Sequence, residues 1–471
     1  MFDTLLINGC IITVNSENKV FDNGFIAFSG DKISALGSMN SLDGVIPEAR
    51  QVIDMEGHAI MPGLVDGHGH GGHCIFRNYA EHIPEWDSIS EEYYICYTDN
   101  RFWYDEAALA ACERLKFGTT TAVSMIGSSN RADIIEPLAQ NMAGASITGI
   151  RHFAGTGAPY DAIPKKARRY NKNGSYVEYH VTPEMIIHTT EESVKSLNGQ
   201  FNRAKCIVAP GRMGVRPSMD PKLNLWFNKE MFRIAMENDV PLHTHAFGGD
   251  VKFLEETLPE ALNPLTSLTH STGYDDEEID ILSKKGAYVF HGPTTFSNAV
   301  GHCRVMEMLE KGVNVAVVTD GTAPDRSYDL WRDMKNVQLL QRFRLRDGGC
   351  LPCGKVLRMV TIEPAKALGI DKLVGSLEVG KKADVITVNV MQPHLAPFGK
   401  MPIQRLVYHA MGQDVDNVFI DGEQVMKNRV LTKVDEMKII ENAMISDAIT
   451  LERLNRPEVV DNPKLYDIRM Y

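Results

Sequence analysis

The chain has 471 residues, which is long enough for a large core and a smaller satellite domain. Its formal net charge of −12 argues against a nucleic-acid-binding surface, which needs clustered Lys and Arg. The N-terminus lacks a signal-peptide pattern, and no stretch approaches the roughly 18 uninterrupted apolar residues of a membrane helix. The eight cysteines are scattered, as in a reducing cytosol. We therefore expect a cytoplasmic protein that binds neither nucleic acid nor membrane.

The first sixty residues predict short β-strands joined by Asn, Asp and Gly turns. The predicted strands are Thr4–Ile7, Ile11–Val14, Gly24–Ser29, Lys32–Gly37 and Gln51–Asp54. From about residue 61 to 371, short runs rich in β-branched residues alternate with longer amphipathic stretches. This alternation is typical of repeated βα units around a parallel sheet.

The central region predicts eight strands, with helices between most of them. The strands are Leu64–Asp66, Thr119–Ser124, Ile147–Phe153, Lys205–Ala209, Val240–His245, Thr266–His270, Ala287–His291 and Asn314–Asp320. The helices include Glu106–Lys116, Lys229–Asn238, Asp275–Lys284, Cys303–Lys311 and Leu330–Arg342. Eight strands followed by helix or loop fit a closed barrel.

The remainder of the chain returns to β-like segments. They are Ala383–Val390, Gln404–Tyr408, Val415–Ile420 and Glu423–Met426. We therefore predict an α/β fold: a (β/α)₈ TIM-like barrel with a small β-sandwich domain formed from both chain ends. The expected division is 1–60 and 372–430 for the β domain, 61–371 for the barrel and 431–471 for a C-terminal helical extension.

Two insertions follow barrel strands at the face where active-site loops belong. Residues 73–104 are rich in aromatic side chains, and residues 155–180 are polar and basic. Lids, substrate walls and a subunit interface are all compatible with these compositions.

The run from Met61 to His70 carries the first chemical signal. It is an apolar strand that ends in two histidines separated by one residue, His68 and His70. Side chains alternate faces along a strand, so both imidazoles project to the same side. Two imidazoles at the end of a buried strand form half of a metal site.

Polar residues also end four later strands. They are the pair His243 and His245, then His270, His291 and Asp320, on the predicted fifth to eighth strands. Each follows a run too apolar to be a loop. Because the carboxyl ends of barrel strands converge at one mouth, we expect a shared site.

This order of HxH, His, His and Asp resembles the amidohydrolase superfamily. Segments such as "LTHSTGYDDEEIDILSKKGAYVFHGPTTFSN" and "GVNVAVVTDGT" resemble its branch of atrazine and triazine hydrolases and S-adenosylhomocysteine, guanine and cytosine deaminases. The resemblance covers nearly the whole chain. It implies a small-molecule substrate and a homo-oligomer, since dimers and tetramers are common in the family.

The resemblance also implies one divalent metal ion, zinc first, with iron, cobalt and manganese suiting the same ligands. Its ligands would be His68, His70, Asp320 and one histidine of the fifth strand. His245 matches the family's ligand position better, although His243 shares its face. The fourth strand ends without the lysine of binuclear relatives, which favours a mononuclear site.

The family's roles carry over to named positions. Asp320 would take a proton from the attacking water and pass it to the leaving nitrogen, while His270 would hydrogen-bond the hydroxide or the developing oxyanion. Four residues are expected to contact the substrate: His291, Arg212, Arg216 and His243. For His291, a position behind the ligands is the alternative. A surface ion pair is the alternative for the two arginines.

One departure from the family concerns function. Heterocycle deaminases of this branch carry a glutamate three residues after the fifth-strand ligand, where this chain has Gly248. Without that proton donor we expect hydrolysis of an acyl C–N bond, in an amide, urea or carbamate. The alternative is deamination or dechlorination of a nitrogen heterocycle, with Asp250 replacing the glutamate. A non-catalytic ligand-binding barrel is the remote alternative.

Overall fold

The computed structural model describes residues 1–127, 131–164, 166–295, 298 and 301–470. Two large sheets and one hairpin account for its strands. The first sheet contains β1 Phe2–Ile12, β2 Val20–Ser29, β3 Lys32–Ser38, β4 Ala49–Asp54, β5 His58–Pro62, β17 Val385–Asn389, β18 Val415–Ile420, β19 Glu423–Lys427 and β20 Val430–Leu431. The second contains β6 Leu64–Asp66, β7 His70–Gly71, β8 Thr119–Ile126, β9 Arg151–Thr156, β12 Ala204–Val208, β13 Leu242–Phe247, β14 Thr266–Thr272, β15 Tyr288–His291 and β16 Asn314–Val317. The hairpin joins β10 Ala167–Tyr170 to β11 Tyr176–Tyr179.

The second sheet is the predicted barrel. Its eight main strands follow the order β6, β8, β9, β12, β13, β14, β15 and β16, and each neighbouring pair is parallel. The seam between the last and first strands is closed by a side chain. Asp66 accepts hydrogen bonds from the backbone N–H of Thr319 at 3.1 Å and from its hydroxyl at 2.6 Å. The TIM-barrel fold class is thereby confirmed.

The α-helices lie between the barrel strands and after the last of these strands. They are α1 Trp86–Cys96, α2 Asn100–Lys116, α3 Glu136–Ser146, α4 Pro183–Leu197, α5 Pro221–Glu237, α6 Asp250–Thr257, α7 Asp276–Lys285, α8 Val305–Glu310, α9 Leu330–Leu345, α10 Cys353–Met359, α11 Ile362–Ala367, α12 Pro402–His409 and α13 Glu436–Leu454. The sequence signals that begin and end α7 are explicit: Asp275 and Glu278 form a capping box, and Gly286 ends the helix at φ 85°. Among the described residues, no helix is long and apolar enough to cross a bilayer.

Both chain ends share the first sheet. Strand β5 pairs in parallel with β1 and antiparallel with β17, which places the C-terminal strands beside the N-terminal ones. Apolar side chains cover both faces of this sheet, with Leu6 and Phe419 in one cluster and Leu5 in the other. The predicted assembly of one β unit from both ends is confirmed, whereas the residue bounds of the domains stay a prediction.

Four predicted strands differ clearly from the structure. The strands Thr4–Ile7 and Ile11–Val14 are one strand, β1, because Asn8 adopts φ 63° within an irregular stretch of the ladder instead of a turn. The segment Gln404–Tyr408 lies in helix α12, which Pro402 begins and which buries Leu406 and Val407. The strand expected from Ile147 begins only at Arg151.

Both insertions contain regular secondary structure. Helix α1 and the start of α2 occupy the aromatic one, where Phe76, Tyr93, Tyr94, Phe102 and Trp103 are buried and contact one another. The basic insertion contains the β10–β11 hairpin, and its Lys165 lies outside the described residues.

Candidate metal centre

Four of the predicted side chains meet at the carboxyl end of the barrel. The Nε2 atoms of His68 and His70 lie 3.2 and 3.3 Å from Asp320 Oδ1, and His245 Nε2 lies 3.2 Å from His70 Nε2. All four residues are almost completely buried. Ligand atoms of His68, His70 and Asp320 lie within 4.8 Å of one another, as do those of His68, His245 and His270.

Hydrogen bonds on the far side of the rings fix which nitrogen faces the centre. Nδ1 of His70 contacts the carbonyl oxygen of Gly127 at 2.8 Å, and Nδ1 of His245 contacts that of Gly211 at 2.6 Å. A carbonyl only accepts, so each Nδ1 must carry the proton and donate it. In the neutral ring, a proton on Nδ1 leaves the lone pair of Nε2 directed to the centre, which is the tautomer that a divalent metal requires.

His243 lies behind the cluster. Its Nε2 is 2.7 Å from His68 Nδ1, and its Nδ1 is 2.7 Å from the hydroxyl of Ser267. When His68 directs its Nε2 lone pair to the centre, its Nδ1–H donates to His243, which in turn donates to Ser267. Both ring nitrogens of His243 are then used, so it neither coordinates a metal nor binds substrate. This corrects the expectation that it faces the substrate.

The backbone bends where two of the functional side chains enter the mouth. His270 and Ser271 adopt φ 69° and 52°, and the β13–β14 register shifts just before Phe247, opposite this bend. Asp320 adopts φ 67°. Left-handed backbone at non-glycine residues is strained and clusters at functional sites. Here it turns His270 towards His245, with which its ring stacks at 5.1 Å.

Burial and local charge set the protonation states. Burial lowers the pKa of His68 to about 4 and that of His270 to about 3, and it holds the pKa of His245 well below its usual value. Burial alone would raise the pKa of Asp320, but Arg326 and the imidazoles of His68 and His70 hold it well below its usual value. Neutral imidazoles and an ionised carboxylate form a donor set that fits zinc.

The fifth-strand loop explains the glycine at residue 248. A Cβ atom there would lie 2.5 Å from the carbonyl oxygen of Gly273, so this backbone has no space for a side chain. Asp250, the suggested replacement for the glutamate, is held elsewhere. Its two oxygens accept from Arg212 at 2.9 Å each and from the backbone N–H groups of Val215 and Phe247. Asp250 therefore has a structural role.

Arg216 is not at the substrate. Its side chain is buried and donates to Pro159 O, to Asn224 and Asn228, and to Arg212 O. These hydrogen bonds stabilise the loop after β12. They correct the expectation that Arg216 contacts the substrate. The substrate-binding role of Arg212 stays a prediction.

His291 faces away from the site. Its neighbour Phe290 points into the barrel, where its ring lies 5.6 Å from that of His243. Strand alternation then directs His291 outwards, into a cavity lined by Cys303 and Gln341. Burial lowers the pKa of His291 to about 4, and neither ring nitrogen has a hydrogen-bond partner among the described residues. The expected contact with substrate or ligands is therefore corrected.

Sequence reasoning missed one further histidine near the centre, His73. The ring of His73 stacks on His70 at 4.7 Å on one side, and that of Tyr94 lies 5.9 Å away on the other. Its position in the run His68-Gly69-His70-Gly71-Gly72-His73 was a visible signal. Because residues 72 and 73 follow the end of strand β7, the direction of the His73 side chain does not follow from strand alternation.

The sequence model of the Amidohydrolase family matches residues 59–425. The chain belongs to the amidohydrolase family. The matched range contains the barrel and the four residues of the cluster, so this amidohydrolase is a metal-dependent hydrolase that acts on carbon–nitrogen bonds of small molecules.

Similar proteins match nearly the whole chain. A 5'-deoxyadenosine deaminase of Methanosarcina mazei is 27% identical, covering 97% of this chain and 100% of that protein. A 5-methylthioadenosine/S-adenosylhomocysteine deaminase of Syntrophobacter fumaroxidans is 28% identical, covering 93% and 96%. An adenosine deaminase from Xanthomonas campestris with bound zinc has a TM-score of 0.78 at 21% identity, covering 95% and 98%. Atrazine chlorohydrolase from Arthrobacter aurescens TC1 with zinc has a TM-score of 0.76 at 19% identity, covering 94% and 100%.

Proposed function

We propose that this amidohydrolase is a mononuclear enzyme that removes an exocyclic amino group from a nitrogen heterocycle of the aminopurine nucleoside class. The reaction adds one water, leaves an oxo group on the ring and releases ammonia. The observation that carries the hydrolytic part is the convergence of the imidazoles of His68, His70 and His245 with Asp320 at the barrel mouth. The deaminase relatives that match more than nine tenths of the chain support the substrate class.

This proposal replaces the acyl C–N cleavage expected from the sequence. That expectation depended on Gly248, which lacks the carboxyl group that protonates the ring in related deaminases. The full-length relatives favour the alternative that the sequence left open. Acyl cleavage remains the second candidate, because the carbonyl of Gly273 leaves no space at residue 248 for a side chain that could protonate a ring.

The residues of the cluster have two roles, metal binding and proton transfer. His68, His70, His245 and Asp320 would hold a zinc ion, which lowers the pKa of a coordinated water towards neutrality. Asp320, ionised beside Arg326, accepts the proton of the attacking water and passes it to the leaving amine.

His270 contributes a hydrogen bond on the substrate side. Its Nδ1 is buried and has no partner among the described residues. A neutral imidazole still has one N–H, which His270 can donate to the heterocycle or to the oxygen that attacks it.

Product analysis tests the proposal. Zinc-loaded protein is incubated with adenosine-type nucleosides, aminopyrimidines, aminotriazines, ureas and anilides. We expect ammonia and the oxo-heterocycle from an aminopurine nucleoside, and a kcat roughly 10²- to 10⁴-fold lower in the Asp320→Asn variant. Amine plus acid from ureas or anilides, without ammonia from any heterocycle, would establish the acyl reaction instead.

A further inference from the structure

One buried arginine lies directly beneath the HxH segment. Arg114 of α2 is 1% exposed, and its guanidinium carbon lies 3.6 Å from the centre of the Tyr328 ring. Its Nη1 donates to the hydroxyl of Ser124 at 2.9 Å, and its Nη2 donates to the carbonyl of Val123 at 3.3 Å. Its Nε lies 3.8 Å from Asp66 Oδ2. The guanidinium therefore contacts two side chains that continue towards the candidate ligands.

The first of these two routes leads to His70. The hydroxyl of Tyr328 donates to the backbone carbonyl of His70 at 2.9 Å. The second leads to Asp320, because Asp66 accepts from both the N–H and the hydroxyl of Thr319, the residue before it. Arg114 thus connects, through Tyr328 and Asp66, the segments on the two sides of the seam between β6 and β16. Three of the four candidate ligands, His68, His70 and Asp320, project from these segments.

The same contact leaves room only for a glycine, Gly69, between the two histidines. A Cβ atom at Gly69 would lie 2.4 Å from Arg114 Nη2 and 3.1 Å from Tyr328 Cε1. The guanidinium and the ring thus fill the space that a side chain between His68 and His70 would need. Backbone and arginine are packed directly together.

We propose that Arg114 is a positioning residue that sets the separation between the His68–His70 pair and Asp320. The proposal rests on the metal site of the proposed function. Arg114 touches no candidate ligand side chain, so it acts through Asp66 and Tyr328. Lysine at residue 114 keeps the charge but lacks the planar fork that stacks and donates in two directions.

Metal affinity of the full-length protein tests this role. Zinc dissociation constants of metal-stripped protein are measured by competition with a chromophoric chelator, and the visible spectrum of cobalt-loaded protein reports ligand geometry. We expect Arg114→Lys to bind zinc about 10- to 100-fold more weakly and to shift the cobalt bands. Tyr328→Phe, which removes only the hydroxyl on the His70 carbonyl, should weaken binding in the same direction.

The matched control is Arg151→Lys. Arg151 is also largely buried and pairs with Asp384 and Asp421, but it lies at the opposite end of the barrel strands. This variant should lower the unfolding temperature and leave zinc affinity and the cobalt spectrum unchanged.

The outcomes separate the two proposals. Wild-type protein that binds neither zinc nor cobalt would overturn the metal site itself. Wild-type protein that binds zinc, with unchanged affinity and cobalt spectrum in both Arg114→Lys and Tyr328→Phe, would overturn the positioning role alone. If Arg114→Lys does not fold, the Tyr328→Phe result decides.

Discussion

The carboxyl group of Glu106 is buried behind the loop that follows His70. Its Oε1 accepts from the backbone N–H of Cys74 at 3.2 Å, whereas its Oε2 has no hydrogen-bond partner among the described residues. Burial raises its pKa from 4.5 to about 7, although backbone N–H groups of Gly72 and Cys74 oppose the rise. Above that pH the folded protein holds a buried ionised carboxylate whose Oε2 has no hydrogen-bond partner among the described residues.

The sign and size of the stability effect follow from this shift. The folded state binds the proton more tightly than the unfolded state, so stability falls as the pH rises from 4.5 to about 7. Below pH 4.5 the penalty is absent, and above about 7 it is complete. The rise in pKa corresponds to roughly 3 kcal/mol of unfolding free energy.

The variant Glu106→Gln keeps the shape and the acceptor for Cys74 but cannot ionise. We expect its free energy of unfolding, relative to wild type, to increase between pH 5 and pH 8 by up to about 3 kcal/mol, measured by urea denaturation. The control is Glu307→Gln, because hydrogen bonding to Arg344 lowers the pKa of Glu307 to about 2. Its contribution is complete above pH 4.5, so its difference from wild type should stay constant. A constant difference for Glu106→Gln as well would refute the assignment of a neutral Glu106.

Three further changes test the site. Asp320→Asn should reduce kcat by roughly 10²- to 10⁴-fold, and zinc-loaded variant protein with wild-type turnover would contradict its proton-transfer role. Gly248→Ala should lower stability by about 1–3 kcal/mol because its Cβ would meet the Gly273 carbonyl; an unchanged unfolding temperature would argue against that contact. His291→Ala should leave kcat/KM and zinc content near wild type because the ring points out of the barrel, whereas a large loss of kcat/KM would place it at the substrate after all.

Local patterns in the sequence predicted the barrel strands well. The barrel strands are short runs rich in apolar and β-branched residues, and period-two alternation places His68 with His70 and His243 with His245 without any knowledge of partners. The capping residues Asp275 and Gly286 likewise act on their own helix, so the bounds of α7 are visible in the sequence. The cytoplasmic location and the oligomeric state stay predictions.

Other properties depend on contacts between residues far apart in the chain. His243 and His245 share one face of the strand. Only the tertiary structure shows that His243 hydrogen-bonds His68 Nδ1, whereas His245 hydrogen-bonds the Gly211 carbonyl. The proximity of residue 248 to the Gly273 carbonyl likewise depends on the tertiary structure.

The sequence by itself therefore determined the fold class, the family and which strands deliver imidazoles and a carboxylate, because those depend on local periodicity and residue order. Tertiary structure decided the role of each group, since role depends on its partners. It assigned His243 to a supporting hydrogen bond, Arg216 to a loop and His291 to the barrel exterior. It also placed Arg114 beneath the HxH segment, where no local pattern in the sequence could have located it.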